Sequence, residues 1–289
     1  MCSRRLVGLP AKTRPTEPAL LPAALLLAVV WLALSSCGRR PPDGMALIPA
    51  GAFVMGTDEL ALEEEAQDYG IAKPWVLDAA PAQRVDLPAY FIDRLEVTNA
   101  DYARFVAQGN GVALPHWKGG KVAPDQERLP VVFVNWNEAA AYCRWAGKRL
   151  PTEPEWEKAA RGPDGRLYPW GNDLDLTLAN VGGVNPDVVA VGSYARGQSV
   201  YGVMDLIGNV WEWTADWYQA YPGSRYTSDA FGQQLRVVRG NSFAGVGHFP
   251  PDDLRKILAA QVRSSYRFFF QPNGALGDVG FRCARDLKS

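Results

Sequence analysis

The chain has 289 residues, 47% of them hydrophobic, and a formal net charge of −1. That content suffices for a real core, and the near-neutral balance gives no basis for nucleic acid or an anionic membrane surface as partner. The 10 Trp and 28 Gly point to an aromatic-rich, loop-heavy fold in which many positions need unusual backbone angles.

Residues 1–36 read as an export signal. Arg4 and Arg5 stand ahead of an apolar run over 19–36, which ends in Leu34-Ser35-Ser36-Cys37. Small residues before a cysteine resemble a bacterial lipobox, in which the cysteine is lipidated and becomes the new N-terminus. An uncleaved membrane anchor with an incidental Cys37 is the alternative. Either reading exports and tethers the protein. Gly38 after the cysteine, in place of Asp, favours the outer membrane of a bacterial cell envelope. Residues 37–44 form the lipidated N-terminus and a linker, which Pro41, Pro42 and Gly44 keep out of helix and strand.

The folded domain is expected over 45–289. Residues 45–56, MALIPAGAFVMG, alternate short apolar runs with Pro and Gly as hairpin strands do. The acidic run at 58–68 suits a helical excursion or a solvated face. Residues 84–98 look like paired strands. A helix follows over 99–109, with Asn99 as cap and Tyr102, Phe105 and Val106 at helical spacing. PVVFVNW at 130–136 is of the buried-strand type. The run after it is helical, with Gly147 placed to end it and Cys143 facing inward with Ala139 and Ala146. Thr152 and Glu155 form a capping box for a helix at 153–161, with Trp156 in the core. Residues 166–173 are a turn carrying an aromatic platform.

The most informative stretch is Tyr201–Tyr218, YGVMDLIGNVWEWTADWY. Trp211, Trp213, Trp217 and Tyr218 call for burial, yet Asp205, Asn209, Glu212 and Asp216 lie among them. Asp205 and Glu212, with Gly208 and Asn209 between them, suit either a hard cation or a tight turn whose acids cap helices and pair with cations. Phe268, Phe269 and Phe270 lie in a row. On a strand they alternate in direction, so at least one reaches the surface unless it is covered.

GNVWEWTADWY, read with RLPTEPEWEKAARG at 149–162, VVRGNSF at 237–243 and GFRCARD at 280–286, resembles the formylglycine-generating enzyme family, also called sulfatase-modifying factors. The resemblance runs in order from about Met45 to Asp286. It implies an α+β, C-type-lectin-like fold, loop-rich with short strands and few helices. It also implies a structural disulfide between Cys143 and Cys283, against the alternative of two buried free thiols. Calcium is implied as a structural cofactor, held by the side chains of Asp205 and Glu212 and the backbone carbonyls of Gly208 and Val210. A further calcium site of the family is matched only weakly, by Asn180 and Val181, with Asp187 as a stand-in for a later ligand.

Active family members carry two cysteines just after the RGGS motif, which bind copper(I). Soft thiolates suit that ion, so the residue type is chemically required. Here Gly245 occupies the first position and no cysteine stands from Ser242 to Phe281. No copper is therefore expected and no catalytic residue is assigned. His116 and His248 are the two histidines, too few near the site for a metal centre. Trp211, Ser242, Arg263 and Arg267 match positions lining the family's substrate groove. The arginines would either clamp a carboxylate or phosphate or pair with acids such as Asp205, Glu212 or Asp278. Residues 248–260 look like an insertion that reshapes the groove. Three readings follow. The first is a tethered binding or assembly module for a protein, peptide or small-molecule ligand. The second is a non-thiol oxidase resembling the periplasmic enzyme of pyoverdine maturation. The third is a true formylglycine-generating oxidase acting on sulfatase cysteines.

Overall fold

The computed structural model describes residues 41–59, 77–244 and 250–287. The segment read as an export signal, Cys37, most of the acidic run at 58–68, Gly245 and His248 lie outside the described residues. Strands β1 (Met45–Ile48) and β2 (Gly51–Met55) do not form a hairpin with each other, nor do β3 (Gln83–Leu87) and β4 (Tyr90–Asp93). Instead β1 pairs with β4 and β2 with β3, both antiparallel. The register carries through: Ile48 faces Tyr90, and three residues on, Gly51 faces Leu87. The two ladders are one ribbon, interrupted where Pro49 and Pro88 stand. Neither proline has an N–H to give the ladder.

Helix α1 (Asn99–Ala107) is capped one residue earlier than expected, by Thr98 in place of Asn99, with Asp101 closing the capping box. Val131, Val132 and Val134 are buried as expected, but 130–136 is not a strand. Phe133 sits at φ 59°, in the left-handed region, and breaks the extended run. Helix α2 (Trp136–Trp145) is capped by Asn135 with Glu138, and Gly147 at φ 69° lets the chain turn away after it. Helix α3 (Glu153–Arg161) has the expected Thr152–Glu155 capping box, and Trp156 is fully buried. The rings of Tyr168 and Trp170 stack with centroids 5.4 Å apart, forming the platform read at 166–173.

Four strands make the larger sheet in the order β7 (Arg267–Phe270), β6 (Arg236–Arg239), β5 (Trp211–Trp217), β8 (Val279–Gly280), with β8 parallel to β5. Strand β9 (Ala284–Asp286) joins the other sheet on the free side of β4. Cys143 of α2 is bonded to Cys283, both wholly buried, which ties that helix to the start of β9. The segment read as an insertion, 248–260, holds all but the last residue of helix α4 (Pro251–Gln261). Four helices, short strands and long connections among the described residues make an α+β fold of the expected kind.

One apolar cluster joins α1, α2 and one face of the large sheet. A second joins Ile92, Trp156, Leu206 and Val262. Between α3 and the sheet lies a buried ionic network. Glu153 and Glu157, one helical turn apart, meet Arg239 at 2.7 Å each, and Glu157 also takes Arg161 at 3.0 Å. Charges taken out of water stay ionised only with such partners.

Candidate functional site

The groove candidates fall into two groups. Trp211 opens β5 with its backbone N–H donating to the Asp278 carbonyl. The Ser242 hydroxyl donates to the Asp278 carboxylate at 2.9 Å, so one acid fixes both residues. The Trp211 ring stacks on Phe268 at 5.4 Å and lies 6.2 Å from Tyr266. Trp211 is 8% exposed and Ser242 is 1% exposed. Ile257 and Ala260 of α4 belong to the same apolar cluster as Trp211 and Tyr266. The segment read as an insertion thus adds apolar side chains to the cluster that holds Trp211.

Arg263 and Arg267 are not in that group. Arg267, at the start of β7, points to the opposite face of the sheet. It donates Nε and Nη2 to the two oxygens of Glu153 at 2.7 and 3.0 Å, and Nη1 to the Asp78 carbonyl. It is 1% exposed. A guanidinium so placed cannot clamp a ligand at the surface, so its reading as a groove residue is corrected to a structural one. Its partner is also not one of the acids expected. Glu153 sits at the N-terminus of α3, where a carboxylate normally answers the helix dipole in solvent. Burial by itself would raise the Glu153 carboxyl, but Arg267 and Arg239 outweigh it and hold the group below the ordinary range. Arg263 pairs with Glu59, again outside the expected set.

The three phenylalanines of β7 alternate as expected, and all are half-buried. Phe268 and Phe270 meet Trp211 and Trp213, while Phe269 lies on Tyr218 on the other face, 4.3 Å between centroids.

The loop before β5 is tightly wound. Asp205, Gly208 and Asn209 have φ of 55°, 82° and 62°. A side chain on Gly208 would place its Cβ 2.5 Å from the Asn180 carbonyl oxygen, so only glycine fits. Asp205 Oδ2 accepts from the Gly192 N–H at 2.5 Å. Asn209 Nδ2 donates to Glu96 Oε1 at 3.0 Å, while Glu96 Oε2 is buried with no partner. Burial, then the charge of Asp205, pushes the Glu96 carboxyl well up. Glu212 is wholly buried and receives Arg282 Nε at 2.7 Å, Arg282 Nη2 at 2.6 Å and Trp156 Nε1 at 2.8 Å. Those three donors use most of the roughly four acceptor positions of a carboxylate. Asn180 uses its amide on Asp187, Asn185 and Asn209, binding the weaker of the expected cation sites into a hydrogen-bonded turn.

Carboxylate and carbonyl oxygens are what a calcium ion takes. Asp205 lies beside Glu212, whose charge Arg282 already answers. The donor chemistry suits a hard cation. Fit depends on Asp205, the carbonyls of Gly208 and Val210, and the acceptor position left on Glu212. Among the described residues, no three His, Cys, Asp or Glu side chains cluster so as to hold a metal by themselves. Nor is any thiol there free, since Cys143 and Cys283 are bonded to each other. His116 lies at the surface against Phe133, 5.0 Å between centroids, and burial lowers its pKa.

Sequence reading missed Glu153, Glu59 and Arg236. The i, i+4 spacing of Glu153, Glu157 and Arg161 was visible, but on a helix that pattern ordinarily means a solvated face.

Comparisons with known proteins bear on the family and the fold. The family model described as "Sulfatase-modifying factor enzyme 1-like domain" matches residues 33–287. A formylglycine-generating enzyme of Bos taurus is 32% identical, covering 85% of this chain and 75% of its own. A Mus musculus protein named "Inactive C-alpha-formylglycine-generating enzyme 2" is also 32% identical, covering 93% of this chain and 94% of its own. Among solved structures, PvdO from Pseudomonas aeruginosa superposes with a TM-score of 0.61 and 26% identity, covering 84% of this chain and 94% of its own.

Proposed function

The chain belongs to the formylglycine-generating enzyme, or sulfatase-modifying factor, family, and from that membership we propose that it is an envelope-tethered member that binds a ligand and lacks copper-thiolate oxidase activity. One observation carries the reading. No cysteine lies between Ser242 and Phe281, and the two cysteines of the domain are bonded to each other in a wholly buried disulfide. Thiolate ligation of copper(I) has no residue to use. The inactive mouse relative, matched over nearly its full length, supports this reading. The cattle enzyme is equally identical, so identity alone does not decide. In this reading Cys37 carries the lipid, and calcium sits in the loop of Asp205 and Glu212 as a structural ion.

A second reading, oxidation without thiols, draws on the fold shared with PvdO at 26% identity. One experiment separates the possibilities. The full chain in detergent is incubated aerobically with copper and a sulfatase-type CxPxR peptide, and formylglycine is scored by mass spectrometry. Bound copper and calcium are quantified in parallel. The proposal expects no product and no copper. Copper-dependent product would overturn it, and product without copper would establish thiol-independent oxidation instead.

A further inference from the structure

Arg239, Arg267 and Arg282, the wholly buried arginines of the large sheet and its neighbourhood, all have carboxylates. Arg236 differs. It lies on β6 at one level with Trp217 on β5 and Phe270 on β7. Its guanidinium carbon is 3.4 Å from the centre of the Trp217 ring and 3.7 Å from that of Trp136. The two indoles hold it as a flat layer between them. Trp136 is itself fixed, with Nε1 donating to the Thr214 carbonyl at 2.7 Å. Arg236 Nη1 donates to the Ala215 carbonyl at 2.7 Å, and Nε is buried without a partner. No carboxylate among the described residues pairs with it. The nearest acid in its surroundings, Asp216, directs Oδ2 to the Glu153 N–H. Burial works against the charge on Arg236, and Asp216 only partly offsets that.

Aromatic faces attract a cation, but they leave its N–H groups unsatisfied. Nη2 donates to no group among the described residues, and unlike Nε it is not a buried orphan. Arg236, Trp136, Trp217 and Phe270 are all partly exposed. The layer therefore presents the outer edge of a rigidly oriented guanidinium between apolar walls. Nη2 at that edge can donate to a carboxylate oxygen, and holding it in advance lowers the ordering cost of binding. We propose that Arg236, clamped by Trp136 and Trp217 beside Phe270, is a binding site for the carboxylate of a ligand with a flat apolar body. Phe268 links the site to Trp211, stacking on that ring and lying 5.2 Å from Phe270, but the proposal does not depend on whether the Trp211–Ser242 region is catalytic.

The test uses the full chain in detergent and benzoate as probe, titrated at constant ionic strength against chloride. Intrinsic tryptophan fluorescence reports on Trp136 and Trp217. Benzyl alcohol supplies the same ring without the charge, and inorganic phosphate supplies an oxyanion without the ring. Arg236→Lys keeps the charge but loses the planar group, and Arg236→Met removes both. The expected result is saturable quenching by benzoate, little response to benzyl alcohol, and binding about tenfold weaker in Arg236→Lys because the planar group held against the two indoles is gone. Phosphate binding more tightly than benzoate would reassign the ligand to a free oxyanion and overturn the carboxylate proposal. So would an unsaturable benzoate response in the wild type, or equal affinity in a folded Arg236→Met variant. Urea unfolding of each variant establishes that it is folded. If Arg236→Met does not fold, the Lys variant and the side-chain Nε resonance of Arg236 under benzoate decide, and an unmoved resonance refutes the site.

Discussion

Replacing Asp216 with Asn should stabilise the protein at neutral pH and leave it little changed in acid. Asp216 lies on β5 beneath the N-terminus of α3. Burial, then the charges of Glu153 and Glu155 on that helix, push its carboxyl up from 3.8 to about 6, against the Glu153 N–H and Arg267, which pull it down. A raised folded-state pKa means that the native chain binds this proton more tightly than the unfolded chain. The resulting stability is fully present below about pH 4 and is lost as pH rises through about 6. The full loss is about 3 kcal/mol above pH 7, and roughly 1 kcal/mol of it is already present at pH 4.5. Asparagine keeps an oxygen for the Glu153 N–H but carries no charge. The gap between Asp216→Asn and wild type should therefore widen by about 2 kcal/mol between pH 4.5 and 8. Urea unfolding at a series of pH values measures it. A gap that stays constant across this range, or a variant less stable at pH 8, would refute the electrostatic reasoning.

Glu153→Gln removes the acid shared by Arg239 and Arg267 and should cost about 3–5 kcal/mol in urea unfolding, because two buried guanidiniums lose charge compensation. A loss near zero would mean that water reaches the network. Glu153 has a depressed pKa, so its contribution is present above the usual carboxylate range and fades as pH falls through its lower folded value, opposite in sign to that of Asp216. Replacing both Cys143 and Cys283 with Ala removes a crosslink spanning 140 positions, and the loop-entropy picture sets the loss at up to about 4–5 kcal/mol. Calcium should raise the melting temperature of chelator-treated protein, and Asp205→Asn should shift the half-saturating concentration upward. An unchanged melting curve would remove calcium from the site. Labelled fatty acid should enter the wild-type chain in a bacterial host and not a Cys37→Ala variant.

The sequence displayed its helices through their ends. Thr152 with Glu155 is a local signal, three residues apart, and the helix begins beside it; Asn135 with Glu138 has the same spacing and caps the preceding helix, but was not read. Strand pairing was less legible because it is set at a distance: nothing near Pro49 shows that the strands on either side of it continue against partners flanking Pro88. The same limit hid the arginine partners. Arg267 meets a carboxylate 114 positions away, and Arg263 one that is 204 away. Trp211 and Ser242, 31 positions apart, meet because both are tied to Asp278. Phe133 defeated the strand pattern through one backbone angle that hydrophobic spacing does not encode.

Strand β4 has a mechanical consequence. Met45 at the start of β1 lies opposite Asp93, and Asp286 at the end of β9 lies opposite Tyr90, so the two flanking strands run in the same direction on either side of β4. Tension applied through Met45 and Asp286 pulls on opposite ends of this three-stranded sheet. The ladder bonds run across the strands, so such a load falls on all of them at once in shear instead of peeling them one by one. A protein held at one end while its partner draws on the other would yield in this sheet only after the whole set had given way.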